Sequence, residues 1–265
     1  MTNPFHFERL DAPGTVLMYQ AVFDVLRGRE PGYFLEVGCG YGSLTRQMIE
    51  RGWSGLAIDL EPLAVESARR FLKPELASQR LTIREADLWD LTAADLAQKP
   101  DIAYAMMVIE HIEDDRGFLA RMANLVRPGG VVIVAAPGGR RFWNFEDTTV
   151  GHLRRYDRED MSSRFDQTCF RTSDAWSVGF PLCNWTFKLG DFLLRHSKQN
   201  RRATLSLEGQ TRESWDINVP FKTTYPRFFR WILHQRSCLA PFCAWQRHAY
   251  QSNLGTVMLG FGEVA

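Results

Sequence analysis

Short apolar runs alternate with segments of helical spacing over the first 180 residues. The first run, Tyr33–Val37, ends in glycines, and the next segment has Leu44, Met48 and Ile49 on one helical face. This succession of run and helix recurs along the chain. The predicted strands are 33–37, 55–59, 81–84, 102–108, 131–135, 175–180 and 255–260, and the predicted helices are 16–26, 43–51, 62–72, 116–126 and one that begins at 157.

The predicted strands are almost continuously apolar rather than alternating. This is typical of a parallel sheet that is covered by helices on both faces. The order of elements therefore predicts an α/β, doubly wound, Rossmann-like fold. We expect a mostly parallel seven-stranded sheet with helices on both faces and a helical insertion before the last strand.

Residues 183–250 differ in composition from the rest of the chain. They hold 11 Lys plus Arg against 4 Asp plus Glu, and 12 of the 33 aromatic residues. Three interpretations are open: the aromatic residues line an acceptor pocket, they form amphipathic helices on an anionic membrane surface, or they form the core of a helical subdomain. The predicted organisation is a helical cap over 1–30 that closes the site from above, a core over 31–182 and 251–265, and an insertion or lid over 183–250.

Overall charge and the start of the chain limit the partners and the compartment. The chain has 32 Lys plus Arg against 31 Asp plus Glu, a balance of +1, which argues against a protein that coats nucleic acid. The first residues lack the charged and apolar regions of a signal peptide, and no apolar stretch approaches about 18 residues. We therefore expect a cytoplasmic protein without a nucleic-acid partner, either free or peripheral to the inner face of a membrane.

The turn after the first predicted strand carries the first chemical signal. Glu36 precedes Gly38, Gly40 and Gly42, so the backbone can bend sharply and a ligand can approach without meeting Cβ atoms. The spacing G-x-G-x-G differs from the dinucleotide fingerprint, and the carboxylate of Glu36 would repel a pyrophosphate. Each glycine alone could also serve only a tight turn. The turn favours a nucleoside ligand with a positive centre and no phosphates.

The end of the second predicted strand supplies the complementary group. Asp59 follows Gly38 by 21 residues, a position from which a carboxylate can accept hydrogen bonds from both hydroxyls of a ribose. Adenosine linked to a sulfonium satisfies both this anchor and the acidic glycine turn.

These motifs together resemble those of the class I S-adenosylmethionine-dependent methyltransferases. The matching segments are EVGCGYG, Asp59, the Ala86-Asp87-Leu88 turn, IEHIED and RPGG, within residues 30–180, with a last strand at 255–260. The resemblance implies S-adenosylmethionine as cofactor, with Asp59 at the ribose, Asp87 and Leu88 at the adenine and the glycines at the methionine end. Asp87 could instead cap a turn. The implied cofactor residues are Glu36, Gly38, Gly40, Gly42, Asp59, Leu60, Asp87 and Leu88.

Two segments after the fourth and fifth strands are candidates for the acceptor side. His111, in IEHIED, could act as a general base or could cap the strand end. Residues 151–156 form a G-H-x-R-R-Y pattern that resembles one in bacterial methyltransferases with small-molecule, glycan or lipid-linked acceptors. Within it His152 could remove a proton, Arg154 or Arg155 could bind an acidic group, and Tyr156 would contact the acceptor. An Arg pair beside an acidic helix start could also be structural.

A metal is not expected at this edge. Some ubiquinone-pathway O-methyltransferases carry E-x-x-E-H there and bind a divalent cation, but Met107 replaces the first Glu. Glu110 and His111 then supply one carboxylate and one imidazole, fewer oxygen ligands than a hard cation prefers.

The resemblance implies an enzyme that transfers a methyl group from S-adenosylmethionine by single in-line displacement. Oxygen is the preferred acceptor atom, ahead of nitrogen and carbon, and the acceptor is a small or lipid-linked molecule. Two alternatives remain: a catalytically silent cofactor-binding or regulatory module of the same fold, and an enzyme that transfers another group, such as aminopropyl. The oligomeric state does not follow from the sequence.

Overall fold

The computed structural model describes residues 7–9, 11–166, 169–185, 224–226 and 236–265. The strands in these ranges are β1 (Phe7–Arg9), β2 (Tyr33–Val37), β3 (Ser54–Asp59), β4 (Leu81–Glu85), β5 (Ile102–Met106), β6 (Val131–Pro137), β7 (Phe170–Val178), β8 (Thr224–Pro226) and β9 (Val257–Val264). The helices are α1 (Pro13–Val25), α2 (Ser43–Glu50), α3 (Pro62–Phe71), α4 (Lys73–Ala77), α5 (Asp115–Leu125), α6 (Phe145–Val150), α7 (Arg158–Asp166) and α8 (Arg236–Ala249).

Seven strands form one sheet in the order β4-β3-β2-β5-β6-β9-β7. Strands β4, β3, β2, β5 and β6 are parallel to one another, and β9 is antiparallel to both β6 and β7. This confirms the predicted doubly wound, mostly parallel sheet. The chain winds from β2 towards β4 and then returns to place β5 on the other side of β2. Ligands bind at such reversals, beyond the carboxyl ends of the strands.

Alternate side chains of the sheet pack against helices on opposite faces. Phe34 belongs to the core beneath α1, α2 and α3, whereas Leu35 belongs to the core beneath α5 and α7. Both layers are needed to bury strands such as β6, in which every residue is buried. The described helices therefore cover the sheet on both sides, as predicted.

Several predicted strand bounds differ from the structure: the strand predicted over 255–260 spans Val257–Val264, the one predicted over 131–135 ends at Pro137, and two others differ for reasons visible in the fold. The strand predicted over 102–108 ends at Met106, because Met107 adopts a left-handed backbone with φ of 58° and the chain turns there. The strand predicted over 175–180 spans Phe170–Val178, where its first half is partly exposed at the edge of the sheet. Partial exposure at an edge weakens the apolar run from which a strand is predicted.

The helix α1 lies along one face of the sheet. Its buried residues Met18, Ala21 and Val22 belong to the core on that face, whereas Gly14 at its amino end lies against Cys183 beyond the end of β7. The helix α1 therefore covers one face of the sheet. Closure of the site by residues 1–30 stays a prediction.

Most of the predicted insertion lies outside the described residues. Its final helix, α8, packs against α1: Gln246 is fully buried and donates from Nε2 to the Leu17 carbonyl, and Arg247 pairs with Asp24 at 2.7 Å. The end of the insertion thus belongs to the cover of the core. The remaining part of the predicted lid stays a prediction, as do the domain boundaries. None of the described helices has the length and apolarity to cross a membrane.

Candidate active site

The three glycines of the first turn all have positive φ, but their surroundings differ. A Cβ at Gly38 would lie 2.5 Å from the Val108 side chain, and one at Gly42 would lie 2.6 Å from Leu72. A Cβ at Gly40 would meet no atom of the described residues within 4 Å. Gly38 and Gly42 are therefore required by packing within the fold, whereas Gly40 borders open space that a ligand can enter.

Asp59 ties the glycine turn to the end of β3. Its Oδ2 accepts from the Gly40 N–H at 2.8 Å, and its Oδ1 accepts from the Glu61 N–H at 3.0 Å. Burial raises the pKa of Asp59, and these two N–H groups oppose that shift. Each carboxylate oxygen has a further acceptor position, so a pair of ribose hydroxyls could be bound here. The side chain of the next residue, Leu60, is exposed to solvent and does not pack in the core.

Glu36 lies buried beneath the glycine turn. Its carboxyl group accepts hydrogen bonds from the hydroxyls of Thr45 and Tyr104. Burial raises the pKa of Glu36 to about 8, although both hydroxyls oppose the shift. Glu36 thus joins β2 to α2 and β5, and a cationic ligand nearby would favour its ionised form.

The raised pKa of Glu36 predicts a pH-dependent stability for the free protein. Between pH 4.5, its ordinary pKa, and about 8, the folded state holds a proton that the unfolded state releases. The free energy of unfolding therefore falls as pH rises through this window, by up to about 1.4 kcal/mol per pH unit from this group. Urea titrations at a series of pH values should show a smaller decline for Glu36→Gln than for the wild type. Glu66→Gln, at an exposed pair, is the control, and equal slopes for all three proteins would refute the prediction.

The turn after β4 uses its polar groups locally. Asp87 Oδ1 accepts from the Trp89 N–H at 3.0 Å, and the Leu88 side chain is buried in the core. Asp87 therefore does cap a turn, and Leu88 could reach an adenine only through its backbone. The contact of both residues with adenine stays a prediction. Trp89 is 47% exposed at this edge and did not stand out in the sequence.

His111 follows β5 and is held by the segment after α6. Its Nδ1 lies 3.2 Å from the Gly151 carbonyl oxygen, which can only accept, so Nδ1 carries the proton. Burial and the neighbouring His152 lower the pKa of His111 to about 4. His111 is therefore neutral near pH 7 and a weak base.

His152 forms a charge-assisted pair with a carboxylate that the sequence did not single out. Its Nδ1 lies 2.7 Å from Asp147 Oδ1, and Arg155 Nε donates to both oxygens of Asp147 at 2.9 Å. Burial raises the pKa of Asp147, but His152 and Arg155 outweigh it and hold the pKa below its usual value. The ionised Asp147 fixes the proton of His152 on Nδ1, which leaves the lone pair on Nε2. Only the fold brings these three residues together in this way.

Glu110 lies on the other side of His152. It is fully buried, and in the described part of the chain neither carboxyl oxygen has a hydrogen-bond partner. Its Oε1 lies 3.7 Å from His152 Nε2, and burial raises the pKa of Glu110 to about 7, although His152 and Arg155 oppose the shift. Burial of a carboxyl group without a hydrogen-bond partner costs free energy, and such a group points to a functional role.

Glu110, His111 and His152 are also close enough to share an ion. One ligand atom from each lies within 4.8 Å of the other two. Two imidazoles and one carboxylate suit a transition metal better than a hard cation. The expectation that no metal is bound stays a prediction.

The three residues after Leu153 are held by the fold. Arg154 donates to Asp115 at 3.0 Å and to the Glu113 carbonyl at 3.1 Å. The Tyr156 hydroxyl also donates to Asp115 at 3.0 Å. Arg155 Nη1 donates to the Gly138 carbonyl at 3.0 Å in addition to its pair with Asp147. Arg155 and Tyr156 thus stabilise the fold through these hydrogen bonds. Contact of Arg154, Arg155 and Tyr156 with the acceptor stays a prediction.

Known proteins match the central part of the chain. Residues 35–134 match the model of a family described as a methyltransferase domain. The ubiquinone biosynthesis O-methyltransferase of Aeromonas salmonicida is 34% identical over 104 residues, 38% of this chain and 41% of that protein. A relative from Mycolicibacterium smegmatis, named a probable S-adenosylmethionine-dependent methyltransferase, is 28% identical over 61% of this chain and 60% of its own length. The matches thus span less than two thirds of these relatives.

Solved structures share the fold at low sequence identity. The [4+2]-cyclase SpnF has a TM-score of 0.57 and 15% identity, covering 93% of this chain and 81% of that chain. Phosphoethanolamine N-methyltransferase 2 of Haemonchus contortus has a TM-score of 0.55 and 16% identity, covering 93% of this chain and 52% of that chain. These likenesses concern the fold alone. The matched family model and the glycine turn together support a methyltransferase domain over residues 35–134, less than half of the chain.

Proposed function

We propose that the whole protein transfers a methyl group from S-adenosylmethionine to an oxygen of a small or lipid-linked acceptor in one in-line displacement. The observation that carries this proposal is His152, oriented by a buried Asp147 at the carboxyl edge of the sheet. A hydroxyl must lose its proton when it is methylated, whereas many nitrogen acceptors already carry a free lone pair. A fixed imidazole at this edge therefore favours oxygen.

The residues of this chain would divide the work of binding and proton transfer. Asp59 would accept from the ribose hydroxyls, and the open side of Gly40 would admit the methionine end of the cofactor. Held by these residues, a sulfonium cofactor would supply an electrophilic methyl group with a neutral thioether as its leaving group. His152 Nε2 would receive the hydroxyl proton, and Asp147 would stabilise the resulting imidazolium.

Alanine at Gly40 and at Gly42 should have different effects. Both positions have positive φ, which costs an alanine roughly 1–2 kcal/mol at either. Gly42→Ala should lower stability further because its Cβ meets Leu72. Gly40→Ala should instead weaken binding of S-adenosylhomocysteine by about 10-fold, or about 1.4 kcal/mol, measured by calorimetry beside thermal unfolding. Wild-type affinity in Gly40→Ala would show that no ligand approaches there.

Methyl transfer itself is tested with cofactor labelled in its methyl group. The purified protein is incubated with a cell extract, and the products are separated by size and by partition into organic solvent. A labelled small molecule supports the proposal. No transfer supports a silent cofactor-binding module, and transfer of a different part of the cofactor supports another transferase. A His152→Ala protein in the same extract shows whether the label depends on this site.

The lipid-linked alternative and a cytoplasmic location belong to the same proposal. The basic and aromatic composition of 183–250 supports peripheral contact with an anionic membrane. Sedimentation with vesicles of phosphatidylglycerol, compared with vesicles of phosphatidylcholine, measures this contact. Equal recovery with both would rule out an electrostatic attachment.

A further inference from the structure

A cavity of about 330 Å³ lies beyond the G-H-x-R-R-Y segment. Its walls come from the turn after β6, from the end of that segment and from α7. Among its described lining residues only Asp160 is acidic. Four arginines and a tryptophan contribute to the lining: Arg140, Arg154, Arg155, Arg164 and Trp143.

One buried carboxylate serves two of these arginines. Asp115 Oδ2 lies 3.0 Å from Arg154 Nη1 and 3.0 Å from Arg164 Nε, and it also accepts from the Tyr156 hydroxyl. Asp115 is 4% exposed and cannot neutralise both guanidinium groups. One positive charge therefore remains in excess on this wall.

The other two arginines each pair with a carboxylate of the described residues. Arg155 pairs with Asp147, and Arg140 pairs with Asp160 at 2.7 Å. Asp157 Oδ1 accepts from the backbone N–H of Arg140 at 3.4 Å. Among the described residues, the ion pairs thus join the four guanidinium groups of the cavity to three carboxylates.

The donors and the shape of the cavity suit an oxyanion that is attached to an apolar body. The ion pair of Arg164 uses Nε, so within the described residues its two terminal nitrogens remain available as donors. Partly buried guanidinium groups bind phosphate and carboxylate with paired hydrogen bonds. Trp143 is 47% exposed and offers a flat apolar surface beside them.

We propose that this cavity binds the anionic group of the methyl acceptor, a phosphate or carboxylate carried on an apolar or aromatic body. This inference rests on the proposed function. Arg155 lines the cavity and donates to Asp147, and Asp147 in turn contacts His152. The cavity is therefore connected to His152 through Arg155 and Asp147. An acceptor that reaches both places would present its anionic group to the arginines and its hydroxyl to the imidazole.

Binding of phenyl phosphate, measured by calorimetry and by phosphorus NMR, tests the cavity without any methyl transfer. Arg164→Gln should weaken binding by about 10-fold or more, and raised salt should weaken it further. Arg29→Gln is the matched control, because Arg29 has a similar exposure and pairs with Glu263 away from the cavity. Trp143→Ala should also weaken binding, and it leaves every ion pair intact. Equal binding by wild type and Arg164→Gln, or no saturable binding by wild type, would overturn the proposal.

Parallel probes identify the source of the oxyanion and separate this proposal from the proposed function. Sedimentation with vesicles that contain phosphatidic acid, lost in Arg164→Gln, would assign the cavity to a lipid headgroup. Binding of phenyl phosphate without sedimentation would assign it to a soluble acceptor. If phenyl phosphate binds as expected but methyl transfer to every acceptor is absent, the proposed anion site is retained and the proposed function is refuted. Methyl transfer with an acceptor KM that is unchanged in Arg164→Gln refutes the cavity instead.

Discussion

Replacing His152 by alanine is expected to lower kcat by about 10²–10⁴-fold while the affinity for S-adenosylhomocysteine changes little. The imidazole is the group that receives the hydroxyl proton, and Asp147 presents its Nε2 lone pair for that purpose. The measurement is steady-state methyl transfer, with cofactor affinity from calorimetry.

Three comparisons distinguish a base from a structural histidine. Added imidazole should restore part of the turnover of His152→Ala. Asp147→Asn should also lower kcat, by about 10-fold or more, because the imidazole loses the partner that fixes its proton. His111→Ala should cost less than His152→Ala, since its low pKa makes His111 a poor base. Unchanged turnover in His152→Ala would remove this residue from the mechanism.

Replacing Asp59 by alanine is expected to weaken cofactor binding by about 100-fold, or about 2.8 kcal/mol. The variant loses a carboxylate that can accept from both ribose hydroxyls, and the Gly40 N–H loses its partner. Calorimetric titration with S-adenosylhomocysteine measures the loss. Asp95→Ala is the control, because that carboxylate accepts from the Thr92 N–H in a surface turn and its loss should have a smaller effect.

A modified ligand separates the ribose contact from the support of the turn. The 2′-deoxy analogue of S-adenosylhomocysteine lacks one hydroxyl, so it should bind the wild type more weakly than the parent compound does. Asp59→Ala should then lower the affinity for the analogue by a smaller factor than the affinity for the parent compound. The same loss for both ligands would mean that Asp59 acts only through the glycine turn. Wild-type affinity in Asp59→Ala would remove the ribose anchor altogether.

The strands and the glycine turn of the cofactor site could be predicted because their sequence patterns are local. Tyr33–Val37 is a continuous apolar run, and its bounds agree with the structure. The glycine turn needs positive φ at Gly38, Gly40 and Gly42, which glycine adopts without strain. The first half of β7 was less predictable, because β7 is an edge strand and these partly exposed residues do not form an apolar run.

The acceptor end was harder to predict because its groups are far apart in the chain. Arg155 stands out in the sequence as a charge next to a histidine, but nothing near it shows that it is buried against Asp147 and Gly138. Asp147 forms a capping box with Asn144 at the start of α6, a pattern that indicates a helix start but not the pair with His152. Glu110 was visible beside His111, but the sequence did not show that its carboxyl group has no hydrogen-bond partner among the described residues.

The sequence by itself determined the α/β class, the order of the core elements and the turn at which a cofactor would bind. These features depend on apolar periodicity and backbone preferences, which act over a few neighbouring residues. Only the tertiary structure decided that Asp147 orients His152, that Gly40 alone of the three glycines borders open space, and that Asp115 is shared by Arg154 and Arg164. Hydrogen bonds, burial and charge balance depend on distances between segments, and packing of the whole chain sets those distances.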